Sequence, residues 1–316
     1  MAGSIDFVSP KQVARALGVS ESSMKRWCDQ GLIRTVLTAG GHRKMSKADV
    51  LKFARSRGHA IISPELIGLP SGTGHAEICL KRGQRSIVDA LLSGQEDVAR
   101  QIVYDLYLAK HSVAKICDEV IARAFHEIGD RWACHSADVY QERRGCEIAL
   151  RLLLDVRRTL PQTNSCWTAI GGTIEGDHYA LPSIMVELVL RDLGIRATSL
   201  GNSIPWASWI KSVEETQPNV LWLSVSHICD GLTFLTEFAV LSRACQVAET
   251  ALVVGGRALN NELRQQMTYS AFCDTMQHLE AFARTFLSQN SRNAKSKSSK
   301  GRQPVKKHPL KLKPDA

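Results

Sequence analysis

Residues 9–33 read SPKQVARALGVSESSMKRWCDQGLI, and this stretch decides the fold of the N-terminal part. Ser9 stands where a helix cap belongs, Pro10 at the first helical position and Gln12 three residues after the serine. That order matches a capping box followed by a proline whose missing N–H has no partner to lose. Val13, Ala16 and Leu17 supply an apolar face, and Gly18 stops the helix. Ser20 caps a second helix that carries Met24, Trp27 and Cys28, and Gly31 ends it. Two short helices joined at Gly18-Val19 form a helix-turn-helix pattern.

The chain beyond it reads LIRTVLTAGGHRKM, two short strands around Gly40-Gly41, and then Ser46 caps a third helix, ADVLKFARSRG. In such a module the second helix enters the major groove with its N-terminal residues toward the bases. Ser22, Ser23, Lys25 and Arg26 lie on or near its exposed side. Hydroxyl and cationic groups suit phosphates and purine edges. Arg34, Thr38, Gly40, Gly41, His42, Arg43 and Lys44 belong to the hairpin. A glycine turn lets its tip lie close to the DNA backbone, and the basic residues behind it can pair phosphates or enter the minor groove. Trp27 reads as core. The alternative for the whole unit is a small helical domain that binds protein.

Pro64, Gly68, Pro70, Gly72 and Gly74 mark residues 59–75 as a linker. Residues 76–162 are helical throughout, with segments near 77–93, 95–109, 112–131 and 137–159, as in a four-helix bundle. Residues 163–290 alternate short apolar strands with amphipathic helices. That alternation implies a Rossmann-like (flavodoxin-like) parallel sheet, with any ligand beyond the carboxyl ends of its strands. Residues 291–316 hold Lys, Ser, Pro and Gly with almost no apolar side chains and are expected to be disordered. The fold class is thus multidomain, α and α/β.

The formal net charge is +9, distributed unevenly. Residues 1–60 carry a net +7, residues 291–316 a net +8, and the middle a net −6. The basic ends are the expected polyanion-binding parts, although a solvated, solubilising tail has the same composition. Nine cysteines lie between Cys28 and Cys273, with no C-x-x-C pair. Free, mostly buried thiols are expected rather than a disulfide framework or zinc ribbon. No apolar run reaches membrane-spanning length and the N-terminus lacks a signal-peptide core. A cytoplasmic protein is expected, with no membrane partner.

SPKQVARALGVSESSMKRWCDQGLI followed by TAGGHRKMSKADVLKF resembles the winged helix of MerR and excisionase-like regulators over nearly all of 8–56. Gly129-Asp130-Arg131-Trp132, Glu142-Arg143, the motif GGTIEGDHYALP, the strand WLSVSH and Gly255-Gly256 extend the likeness over about 8–290. There the chain resembles light-responsive cobalamin regulators of the CarH type, in which a winged helix precedes a helical bundle and a cobalamin domain. The resemblance implies cobalamin or another tetrapyrrole as ligand, double-stranded DNA as partner and a homo-oligomer. Trp132, Glu142, Arg143, Asp177, His178, Tyr179, Ser224, Ser226, Gly255 and Gly256 become cofactor-binding candidates. The last four, being small, leave room for a nucleotide tail between sheet and helices. Arg143, Arg144, Tyr140 and Trp132 are expected to line a cavity between bundle and sheet, where a buried arginine needs an anion.

Two positions depart from that family. Arg143 stands where the bundle of the family has a histidine. Counted back without a gap, Asp177 takes the acidic position before the lower cobalt ligand, Tyr179 the ligand histidine and Pro182 a glycine. Cobalt prefers a neutral, oriented imidazole. Either the loop shifts by one residue, making His178 the metal ligand, or axial ligation is lost; the ungapped register favours loss. Three functions follow: a ligand- or light-sensing DNA-binding regulator, a regulator whose C-terminal half only mediates oligomerisation, and a corrinoid carrier or cobalamin-dependent enzyme module. No nucleophile triad, P-loop or G-x-G-x-x-G is present, so the chain is expected not to be an enzyme itself.

Overall fold

A computed structural model of the chain describes residues 7–73, 80–160 and 165–300, those from 290 onward as backbone only. The N-terminal unit starts with β1 (Phe7–Val8) and α1 (Pro10–Ala16). Both arms of the capping box form: Ser9 Oγ accepts from the Gln12 N–H, and the Gln12 side chain accepts from the Ser9 N–H at 2.9 Å. Ser20 caps α2 (Glu21–Asp29). The hairpin follows as β2 (Val36–Leu37) and β3 (Arg43–Ser46), and Ser46 caps α3 (Lys47–Arg57). β1 pairs antiparallel with β3, which places it at one edge of a three-stranded sheet. A two-residue strand has no periodicity to read from sequence. Trp27 packs on Phe53 with ring centroids 5.1 Å apart and on His59 at 5.0 Å, half-buried against the core of this unit.

The segment expected to be a loose linker is packed down. Ile61, Ile67 and Leu69 are buried, and Pro64–Ile67 form a 3-10 turn. The Ile62 N–H donates to the Ala16 carbonyl at 2.8 Å, and Lys47 Nζ donates to the Gly68 carbonyl at 2.6 Å. Three apolar side chains among the prolines and glycines find a surface to bury on, and that outweighs the turn formers around them.

The helical segments are α4 (Leu80–Ser93), α5 (Glu96–Leu108), α6 (Val113–Ile116), one π-helical turn (Cys117–Ala122), α7 (Arg123–Ala133) and α8 (Val139–Thr159). α3 of the N-terminal unit packs against α5 and α8. Arg55 fixes this junction. Its guanidinium lies 4.1 Å from the Tyr107 ring centroid and donates to the His111 carbonyl at 3.0 Å.

The last part alternates as expected: β4 (Thr168–Thr173), α9 (Ala180–Asp192), β5 (Arg196–Ser199), α10 (Trp206–Thr216), β6 (Val220–Ser224), α11 (Gly231–Val247), β7 (Ala251–Gly255), α12 (Asn261–Gln265), β8 (Ala271–Phe272) and α13 (Met276–Lys300). The five strands are all parallel in the order β5-β4-β6-β7-β8. The sheet switches direction between β4 and β6, where such folds open their crevice. Alternation along β6 sends Val220 and Trp222 to the side of α8, α9 and α13, and Leu221, Leu223 and Val225 to the side of α10 and α11. Both faces are covered, as parallel sheets require. Asp118 caps α13 by accepting from the N–H groups of Met276 and Gln277 at 2.8 and 2.9 Å, which ties the sheet unit to the helices before it. The backbone of α13 stays helical to Lys300, so the disorder expected from residue 291 does not hold for 291–300. Residues 301–316 lie outside the described residues. Among the described residues no helix is long and apolar enough to cross a membrane.

Candidate functional site

The candidate residues lie on separate surfaces. On the N-terminal unit, the start of α2, the start of α1 and the hairpin enclose a groove of about 700 Å3. Ser22, Lys25, Thr38, His42, Arg43 and Lys44 line it. The hairpin holds its shape through the turn: the Thr38 N–H donates to the His42 carbonyl at 2.9 Å, and Gly41 sits at φ +74°, where a side chain is strained. Arg43 is braced, its Nη1 donating to Asp29 Oδ1 at 2.5 Å across from the end of α2. The bond to Asp29 raises the guanidinium pKa further above its ordinary value, so Arg43 stays cationic. Burial likewise raises the Cys28 thiol behind it. Ser23 and Arg26 lie on α2 but do not line the groove. Arg34 lines a separate cleft between the N-terminal unit and the helices, with Arg100, Asp155 and Tyr104. Lys11, which the sequence reading passed over, lines the groove and lies 3.7 Å from Glu21.

The remaining candidates lie at the carboxyl edge of the parallel sheet and, separately, at the turn between α7 and α8. Asp177, in the turn after β4, is fully buried. Its Oδ2 accepts from the Ser226 N–H at 2.6 Å and the His227 N–H at 3.2 Å, and its Oδ1 from the Tyr179 N–H at 3.0 Å. The Asp177 carbonyl accepts from Thr173 Oγ1 at 2.5 Å and from the Ser203 N–H at 3.0 Å. One residue thus pins together the turns that follow β4, β5 and β6. His178 is exposed, with its carbonyl accepting from Asn202 Nδ2 at 3.2 Å. Tyr179 is half exposed, and Arg257 lies 4.9 Å from its ring centroid.

Ser224 is buried and Ser226 half-buried. The two glycines face backbone rather than open space. A Cβ on Gly255 would come within 2.3 Å of the Cys273 carbonyl oxygen, and one on Gly256 within 2.2 Å of that of Val225. The turn between α7 and α8 is open: Trp132 is 53% and Tyr140 61% exposed. Arg143 and Arg144 are exposed as well, so the expectation of an arginine buried with an anion fails. Arg144 donates instead to the Leu92 carbonyl and lies 5.8 Å from the Tyr140 ring centroid. Glu142 is half-buried on the same helix. Among the described residues no group of three His, Cys, Asp or Glu side chains is placed to hold a metal ion. A corrinoid with a protein axial ligand needs an oriented imidazole. The edge presents a phenol at 179 and an exposed histidine at 178, so these residues do not fit that group.

Comparison with known proteins matches two parts of the chain. The family described as a helix-turn-helix domain matches residues 7–58, and the family described as a B12 binding domain matches residues 84–153. Among individual proteins, trimethylamine corrinoid protein 1 of Methanosarcina acetivorans is 20% identical over 140 residues, which is 42% of this chain and 63% of that protein. The chain therefore spans less than two thirds of that relative's length. The structure of the monomethylamine corrinoid protein of Methanosarcina barkeri covers 65% of this chain and 98% of its own, at 12% identity and a TM-score of 0.55. A cobalamin-binding protein from Desulfitobacterium hafniense covers 66% of this chain and 98% of its own, at 16% identity and a TM-score of 0.36. The M. barkeri match establishes a shared fold.

Proposed function

We propose that the protein is a DNA-binding transcription regulator of the MerR type and not an enzyme. Residues 7–58 act as a winged helix on double-stranded DNA, with the hairpin as wing and α2 as recognition helix. The observation that carries this reading is the groove in which Ser22 and Lys25 of α2 converge with His42, Arg43 and Lys44 of the hairpin. A concave surface with cations on both walls suits a phosphate backbone, while the exposed residues of α2 face the bases. The four helical stretches form a bundle that joins this head to the corrinoid-type sheet. The C-terminal half regulates the head through the junction at Arg55 and sets the spacing of paired heads in a homo-oligomer. The protein works in the cytoplasm.

The test is affinity for DNA fragments selected from a random pool by the full chain. Arg43→Ala should weaken binding at least about tenfold, the scale of one lost phosphate or base contact. Tyr179→Phe should leave it unchanged without ligand. An Arg43→Ala protein that is folded and binds like the original refutes the wing assignment. The fold shared with corrinoid proteins favours a second reading, a corrinoid carrier. A carrier would hold corrinoid stoichiometrically and ignore the selected DNA.

A further inference from the structure

The resemblance to cobalamin domains directs a nucleotide tail into the space between sheet and helices, past Ser224. In this chain that space has an occupant. Trp222 lies two residues before Ser224 on the same face of β6, and only 1% of it is exposed. Its indole N–H donates to Ser183 Oγ of α9 at 3.0 Å, in a buried bond, so the ring spans the gap from sheet to helix. Ser183 Oγ in turn lies 3.4 Å from Ser199 Oγ of β5. On the neighbouring strand Gly171 makes room for the ring: a Cβ there would come within 2.1 Å of it. The small residue beside the slot therefore accommodates Trp222 and leaves no passage. The opposite face of the sheet is shut as well. Trp209 is fully buried there, and a Cβ on Gly172 would meet its ring at 3.2 Å.

A threaded nucleotide needs a continuous slot wide enough for an aromatic base and a sugar phosphate. Interiors packed at crystal-like density do not open such a slot without expelling a side chain. Expelling Trp222 would break its buried hydrogen bond to Ser183 and expose the largest apolar side chain on this face of β6.

We propose that Trp222 determines the ligand class of this half of the protein by excluding any corrinoid whose nucleotide is threaded between the sheet and α9. A ligand here must rest on the carboxyl edge of the sheet alone, as a planar tetrapyrrole without an inserted tail. The inference rests on the corrinoid-type fold and is independent of the DNA-binding reading.

The experiment is equilibrium dialysis of the full chain against hydroxocobalamin and against cobinamide, which has the same ring without the nucleotide. The wild-type protein should retain cobinamide and hold cobalamin no more tightly; retention of neither would overturn the edge-bound tetrapyrrole. Cobalamin held about tenfold or more tightly than cobinamide would overturn the proposal, since the two share the ring and differ in the nucleotide and the cobalt ligand it supplies. Trp222→Gly opens the slot and should shift the preference toward cobalamin by about tenfold or more. A Trp222→Gly protein that keeps its circular dichroism and gains no preference would likewise overturn it. If this variant does not fold, the wild-type comparison decides alone. Binding of selected DNA, measured in parallel, separates a failure here from a failure of the regulator reading.

Discussion

Replacing Asp177 by alanine should damage the fold of the sheet unit and not only its ligand chemistry. The fully buried carboxylate accepts three backbone N–H bonds, from Ser226, His227 and Tyr179. A hydrogen bond to a charged group contributes roughly 1.5–3 kcal/mol net, and each donor left bare in the interior adds its desolvation cost. The three bonds share one carboxylate, so their effects do not add in full, and removing the charge also removes its own burial cost. The expected loss is about 3–5 kcal/mol for Asp177→Ala and roughly half that for Asp177→Asn, which keeps one acceptor oxygen. Urea unfolding followed by tryptophan fluorescence reports this unit, because Trp206, Trp209 and Trp222 all sit in its core. At a slope near 2 kcal/mol per molar urea, the alanine midpoint should fall by roughly 1.5–2.5 M. Binding of selected DNA at zero urea should survive, since the head is built from other residues. A midpoint within about 0.5 M of the wild type would refute the reasoning and return Asp177 to the role of a ligand-orienting side chain.

Two further predictions concern charge. Burial raises the Asp192 carboxyl above its ordinary pKa of 3.8, with Arg55 and the Val113 N–H opposing part of the rise. The folded state therefore binds this proton more readily than the unfolded chain. The stabilisation is complete below the ordinary value and is lost as pH rises through the raised one. Asp192→Asn removes that slope, so the stability of the variant relative to the wild type should increase from pH 3.5 upward in urea titrations at about half-unit steps. A flat or falling difference would contradict it. Deleting residues 291–316, a segment with a net charge of +8, should flatten the dependence of DNA affinity on salt while sparing sequence preference. An unchanged slope in fluorescence-anisotropy titrations from about 50 to 200 mM salt would show that the segment makes no phosphate contacts.

Much of the architecture was legible because its signals are local. The Ser9–Gln12 box, the Ser20 and Ser46 caps and the glycines at 18, 31 and 41 each act within a few residues. The strand–helix alternation after residue 165 likewise needs only period and length. The features that escaped depend on partners distant in sequence. β1 exists because β3 offers it an edge. Residues 59–73 are packed because α1 and Lys47 receive them. Composition alone gave no hint of helix beyond residue 290, where α13 continues a run begun by its buried first turns.

The candidate site was legible in part. Asp177, Ser224 and the two glycines do meet at the sheet edge, but small residues were read as space when they mark close packing. Trp222 was visible within WLSVSH, and only its pairing with Gly171 on the adjacent strand gives it meaning. Arg143 and Arg144 could not be placed from sequence, since helix periodicity does not say which neighbour covers the far end.

Trp222 can also be described as a ligand the protein carries covalently. A diffusible molecule stabilises a fold in proportion to the logarithm of its concentration, and withdrawing it reverses the effect. A tethered indole is always present at its site and cannot be diluted away. The sheet unit therefore stands permanently in a filled condition, and its stability does not track the supply of any molecule that would compete for that slot. Such a unit sends no signal from its interior. Any signal that such a unit gives must then originate at its rim.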